Sequence, residues 1–419
     1  RQGRIERKLA ARHLDENGLA LYDLSSSYFE GVTCPLAALG HSRDGKKGKL
    51  QVNYGLLTNT RGCPVSVSVY SGNTADPTTL VPEVKKVKRA FGLKEFVMVG
   101  DRGMIGQKQI DQLKDIEGLA WIAALKSVQI RKLVEHGAIQ LGLFDDRNLI
   151  ELIHPDYPGE RLVVCRNPLM ANRRVYKRES LIEATKKELE KVQAMVARGD
   201  LIGQDAIGVR VGLVVNKYKV RKHFALNIQD ASFSFELRQD KIAAESALDG
   251  IYVIRTSLPK ERLDAPGAVR SYKLLSGVER AFRSFKTIDL KVRPIHHHLE
   301  DRVRSHIFLC MLAYYVEWHM LEAWRGRLFS DEDLQAKQTR DPVAPAARSD
   351  KALEKVRSQT LEDGSEVHSF RSLLADLSTI VRNVCRRKNA PKDEPTFTIT
   401  TTPSAEQQRA LNLIEAISV

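Results

Sequence analysis

The chain has 419 residues, 42% of them hydrophobic, enough for a large core spread over two or three domains. A formal charge of +14 and a pI near 9.5 favour a polyanionic partner, nucleic acid first, over a merely solubilising charge. The five cysteines, Cys34, Cys63, Cys165, Cys310 and Cys385, are scattered without CxxC spacing, which argues against a disulfide framework or a structural zinc site and fits a reducing cytoplasm.

Residues 1–17 read as a basic helical stub, and a start at Arg1 rather than Met leads to the expectation of a fragment with something missing upstream. GLALYDLSSSYFEG (18–31) has strand character, and HSRDGKKGKL (41–50) is a basic turn. Residues 52–73 read as two strands joined by a turn at Asn59 to Gly62. Asp76 is placed as the cap of a helix with Pro77 at its first position. KEFVMVGDRG (94–103) is a short strand ending at Asp101, 106–118 is helical and 119–126 is a buried strand. This β-β-β-α-β-α-β order over 18–126 implies a mixed sheet with flanking helices, the first part of an α/β core.

From 127 to 247 the texture changes: short alternating strands, VGLVVNKYKV among them, flank a charged helix at 175–197, as expected of an inserted domain. Residues 248–326 return to the core with a strand at 249–257, a helix from Tyr272 to Lys286 and a long helix from His298 to Trp324. IFLCMLAYYV (307–316), the longest apolar run, is too short to span a bilayer, so no membrane partner is expected. Residues 327–365 read as a linker and 366–419 as a helical tail with one strand. Trp121, Trp318 and Trp324 sit in apolar contexts and read as core.

Three carboxylates stand out. Asp23 lies inside an apolar strand, where an unpaired charge is costly. Asp101 ends a strand, and sites in α/β sheets gather at the carboxyl ends of strands. Glu279 projects from a helix beside an apolar stripe of Leu274, Val278, Phe282 and Phe285. Together they suit hard divalent cations. Taken singly, each has a structural alternative: Asp23 paired with a buried cation, Asp101 capping a turn, Glu279 in a surface ion pair.

The segments ALYDLSSSYFEG, QVNYGLLTNTRGCPVSVSVYSGNTAD, FVMVGDRGM, YKLLSGVERAFRSFK and RPIHHHLEDRVRSHIFLCMLAYYVE resemble the DDE transposases of bacterial insertion sequences, in the branch with a Tyr-Arg-Glu-Lys signature. The resemblance covers roughly 18–325. It implies an RNase H-like core interrupted by a β-rich insertion domain before the glutamate helix, in keeping with the gap of 279 − 101 = 178 residues. It makes Asp23, Asp101 and Glu279 the catalytic ligands of two Mg²⁺ or Mn²⁺ ions. It implies cleavage at the ends of the element and strand transfer into target DNA, with a homodimer on the DNA and nucleoid association when bound. Tyr272 and Lys286 match residues that contact DNA phosphates. Leu275 stands where the signature has Arg, leaving Arg283 or Lys273 to supply charge. Arg43, Lys46 and Lys47 of the basic turn, with Lys49, are further DNA-backbone candidates, as phosphate contacts need only positive charge. HHH (296–298) reads as packing rather than metal binding, with His297 and His306 matching family positions. Two rivals keep the fold: a DNA nuclease without strand transfer, and a decayed DNA-binding protein.

Overall fold

In the computed structural model the chain forms two compact units, one of residues 1–119, 273–341 and 345–419 and the other of 120–272 and 342–344. The structure describes all residues except 141–143, 145–147, 334, 336–338, 389–390, 392–394 and 418–419, with the backbone alone at 287–288.

Unit 1 starts with α1 (Gln2–His13), followed by an antiparallel meander of β1 (Leu19–Tyr28), β2 (Gln51–Thr58) and β3 (Pro64–Ser71). The β2–β3 turn closes where the Gly62 N–H donates to the Asn59 carbonyl at 3.0 Å, with Gly62 at φ 80°, a conformation glycine adopts without strain. Next come α2 (Asp76–Ala90), β4 (Phe96–Gly100) and α3 (Gln107–Leu113). β4 runs parallel to β1, giving the order β3-β2-β1-β4. The Phe96 N–H donates to the Gly118 carbonyl, bringing the chain alongside β4 as it enters β5 (Leu119–Ala124). An antiparallel meander with a parallel strand beside β1 is the RNase H-like mixed arrangement. Asp76 does not cap α2: it is the first helical residue, Ala75 holds the cap position, and the Asp76 carboxylate instead accepts from Arg43.

Unit 2 contains α4 (Ser127–Glu135), β6 (Leu149–Leu152), β7 (Arg161–Arg166), α5 (Pro168–Ala197), α6 (Gln204–Tyr218), β8 (Phe224–Ile228), β9 (Phe233–Leu237), α7 (Gln239–Ser246), β10 (Ile251–Thr256) and most of α8 (Ala265–Lys273). Strands β5, β10, β7 and β6 neighbour one another in that order, all antiparallel, and β8–β9 is a separate hairpin. The expectation of a β-rich insertion is corrected here. α5 alone spans 30 residues, whereas β6 to β9 have four to six each. VGLVVNKYKV is not a strand. Ile207, Val211, Val214 and Val215 bury one stripe of α6 against α5 and the hairpin, so a three-to-four spacing outweighs the strand preference of valine.

The chain returns to unit 1 with α9 (Leu275–Arg283), which packs on β1 and β2, and α10 (Glu300–Ala323), which packs on β3. The remaining described elements are α11 (Asp350–Ser358), α12 (Phe370–Leu377), the hairpin β11 (Arg382–Cys385) and β12 (Phe397–Thr400), and α13 (Ala405–Glu415). The segment expected as a linker therefore carries a helix, and the expected tail helix stops at Leu377 and gives way to a strand. The three tryptophans are buried, and Trp324 donates Nε1–H to the Ala410 carbonyl at 2.9 Å, fixing α13 to the end of α10. Among the described residues no helix is long and apolar enough to cross a membrane.

Candidate active site

Asp23 and Asp101 are brought together by strand register. Leu19 lies opposite Val97 and Tyr22 opposite Gly100, an offset of 97 − 19 = 78. One further step carries the same offset, 101 − 23 = 78, so Asp101 leaves β4 beside Asp23 on the neighbouring parallel strand, about 4.8 Å away in backbone terms. Asp23 is half-buried and accepts the Leu24 N–H at 2.8 Å, while Asp101 is exposed at the strand end. The Asp101 carbonyl accepts the Met104 and Ile105 N–H groups in the following turn.

Glu279 comes from α9. Val278 and Phe282 bury the inner face of that helix, and Phe282 meets the Tyr54 ring of β2 edge-on with centroids 5.8 Å apart. Glu279 itself is exposed. The β2–β3 turn comes close beneath the start of α9: a Cβ on Gly62 would lie 3.6 Å from the Gly277 Cα, and one on Gly277 would lie 3.5 Å from the Gly62 Cα. The two glycines thus bring the turn and the helix start to van der Waals contact through their backbones.

The electrostatics of Asp23 show that all three acids share one field. Burial pushes its carboxyl up to about 7. The Leu24 N–H opposes this, Asp101 and Glu279 add to it, and Arg43 pulls the other way. The carboxylates are not drawn into a tight set: among the described residues only His13, Cys63 and His319 form a trio of ligand atoms within 4.8 Å of one another. An oxygen-only donor set under mutual repulsion fits a hard divalent cation, whose charge would favour the ionised form of Asp23.

The sequence-derived cations divide. Tyr272 is the last residue of that stretch of unit 2, whereas the three acids belong to unit 1. The single helix expected from Tyr272 to Lys286 is broken. α8 ends at Lys273, Leu274 accepts the Gly277 N–H at 2.8 Å in a tighter turn, α9 ends at Arg283, and 284–288 form a wider π-turn. Tyr272, Glu279 and Lys286 therefore do not share one continuous helical stripe, because each change of helical pitch rotates the face. Leu275 is buried at 8% exposure, which accounts for an apolar residue where the signature has Arg. Lys286 is not presented to solvent: its side chain is 10% exposed and pairs at 3.1 Å with Asp44, whose side chain is fully buried and also accepts from Arg293 and the Tyr28 N–H. Sequence reading missed Asp44, which stands in RDGKKG like any turn aspartate.

Arg43 donates one Nη to both carboxylate oxygens of Asp76 at 2.5 Å, and its other, Nη1, is buried with no hydrogen-bond partner. Lys46 and Lys47 are exposed, Lys46 with its Nζ 5.9 Å from the Tyr28 ring centroid. Arg283 and Lys273 are also exposed. His297 and His306 meet edge-on at 5.1 Å, and the His298 Nδ1 lies 2.8 Å from the Thr33 hydroxyl.

Residues 32–316 match the profile of the transposase DDE domain family, a span that begins after Asp23 and includes Asp101 and Glu279. Among solved structures the chain is similar to the piggyBac transposase in its synaptic complex with hairpin DNA, determined by cryo-EM, at 9% identity and a TM-score of 0.38. That likeness covers 83% of this chain and 63% of the other, less than two thirds of its length. No curated protein matches the chain. With the family profile spanning well over half of its residues, the chain belongs to the transposase DDE domain family.

Proposed function

We propose that the protein is a DNA transposase that cuts the ends of an insertion sequence and joins the freed 3′-hydroxyl to target DNA, with Asp23, Asp101 and Glu279 as catalytic metal ligands. The observation that carries this reading is the shared register of Asp23 and Asp101, together with the electrostatic pull of Glu279 on the same carboxyl. Two Mg²⁺ or Mn²⁺ ions held there would supply Lewis-acid activation of water or hydroxyl and offset phosphate charge.

The residues of the chain divide the remaining work. Asp23 must be ionised to serve as a ligand, and Arg43 on one side favours that form. The unpartnered Arg43 Nη1 is a donor of the right kind for a phosphate oxygen. Lys46, Lys47 and Arg283 lie on the exposed surface, where they can follow a DNA backbone without reading sequence. Lys286 serves first to hold Asp44 and the π-turn after the glutamate helix, and a phosphate contact there requires the ion pair to open. Joining two element ends calls for two copies of the site, so a homodimer is expected on DNA.

The test is an assay on the element's own terminal DNA with a target plasmid in Mg²⁺ and in Mn²⁺. Wild type should yield both nicked ends and joined products, while Asp23→Asn, Asp101→Asn and Glu279→Gln should yield neither. Cleavage without any joined product would favour the nuclease, and full activity of Asp101→Asn would remove the acid site from the chemistry.

A further inference from the structure

We propose that unit 1 holds a second metal site, built from His13, Cys63 and His319, that takes a borderline cation of the Zn²⁺ type and braces the turn beneath the glutamate helix. One ligand atom from each residue lies within 4.8 Å of the other two. Zn²⁺ bonds of about 2.0–2.3 Å to nitrogen and sulfur need ligand atoms a little closer than that, a shift that side-chain rotation can supply. The three residues come from α1, from the residue just before β3, and from α10, so no sequence spacing announces them. This is why scattered cysteines read as inert.

Two independent features point to a ligand. The His319 Nε2 is buried and has no hydrogen-bond partner, an orphan that a metal bond would satisfy. The Tyr315 hydroxyl sits 2.9 Å from the His13 Nε2, and the Tyr315 and Trp318 rings pack against His319 at 4.5 and 5.0 Å, so the imidazoles are held in place rather than free to swing. The imidazoles arrive in suitable form, whereas the thiol must lose its proton on binding. Burial lowers both histidines, His13 to about 4, so the rings are neutral. Burial pushes the Cys63 thiol up to about 12, against the pull of Arg61 and Arg12. On binding, the sulfur–hydrogen bond breaks, the electron pair goes to the metal and the proton leaves to solvent. Arg12 and Arg61 disfavour a bare dication, and the thiolate offsets part of that charge while Glu322, paired with Arg61, offsets more.

The consequence reaches the acid site. Cys63 follows Gly62, whose Cα packs against Gly277 two residues before Glu279. Its N–H is held at 3.0 Å by the Asn59 side-chain oxygen, so a metal on Cys63 would fix this turn from the other side. This site has thiolate and imidazole donors and so prefers a different metal from the three carboxylates.

The experiment is titration of metal-stripped, full-length protein with Co²⁺, followed by Zn²⁺ competition against a chromogenic chelator. One equivalent of Co²⁺ should give a thiolate-to-cobalt charge-transfer band in wild type and in Asp101→Asn, and none in Cys63→Ser. His319→Gln, on the half-exposed face of a helix and expected to fold even where Cys63→Ser does not, should weaken Zn²⁺ binding by at least about tenfold. Absence of the band in wild type would overturn the proposal. So would a band of full intensity in Cys63→Ser, or unchanged Zn²⁺ affinity in His319→Gln.

Discussion

Two groups of acids in this molecule have opposite surroundings. In unit 2, Glu160 is buried with Arg255. The Arg255 Nε donates to it at 3.0 Å and a guanidinium Nη makes a second bond, while the Trp121 Nε1–H donates at 2.5 Å and the guanidinium rests 5.0 Å from the Tyr157 ring centroid. Every lone pair that matters is met, as a buried charge requires. In unit 1, Asp23 has one backbone N–H and faces two more carboxylates. A satisfied acid is part of the architecture, whereas an acid kept beside others of its kind suits the cation site proposed above.

The largest effect that would break this contrast is on chemistry. Asp23→Asn or Asp101→Asn should lower strand cleavage by at least about 10²-fold with no loss of melting temperature. Glu160→Gln should do the reverse, costing about 3–5 kcal/mol in chemical denaturation because it leaves Arg255 buried and unpaired, with cleavage per folded molecule unchanged. If both variants lose the same property, the distinction collapses.

A pH series sharpens it further. The folded-state pKa of Asp23 is raised, so its favourable contribution is complete below the ordinary carboxylate range and is lost as pH rises through about 7. Melts without divalent cation should therefore show stability falling across that window in wild type and less so in Asp23→Asn. Added Mg²⁺ at pH 8 should raise the wild-type melting temperature more than that of the variant. Equal responses in the two proteins would count against a raised Asp23.

The smallest effect expected is at Asp331 in unit 1. Burial alone would raise its carboxyl, but the Ser349 N–H and hydroxyl, Arg340 and the Asp333 N–H outweigh it and hold the group below the usual carboxylate range. That contribution is present at neutral pH and lost in acid. Ser349 also caps α11, its hydroxyl accepting the Ala352 N–H, so Ser349→Ala should cost about 1 kcal/mol at pH 7. Urea titrations should show the difference unchanged between pH 7 and pH 5 and mostly retained at pH 3, because the folded carboxyl stays ionised there and the Ala352 cap bond does not titrate.

Much of unit 1 was legible in the sequence because its signals are local. Apolar runs end near Gly62 and Gly100, and a short turn announces the β2–β3 hairpin. Asp23 stood out as a charge in an apolar strand, but its register with Asp101 lies in a parallel pairing that no spacing encodes. The insertion misled because valine-rich α6 mimics a strand until its partners are known. The break at Leu274 and the burial of Lys286 were hidden for a similar reason: Asp44 is 242 residues away, from 286 − 44 = 242. The tail helix failed at Leu377, where the chain turns to pair β11 with β12.

Asp23, Asp101 and Glu279 are proposed to act as one cation site. The most direct measurement is a Mn²⁺ titration read by the electron paramagnetic resonance of the free ion, on wild type, Asp23→Asn, Asp101→Asn and Glu279→Gln at pH 8. Binding should be tight in wild type, weaken sharply in each of the three variants and be unaltered in Glu160→Gln. Binding that survives removal of any one of the three acids unchanged would contradict the proposal.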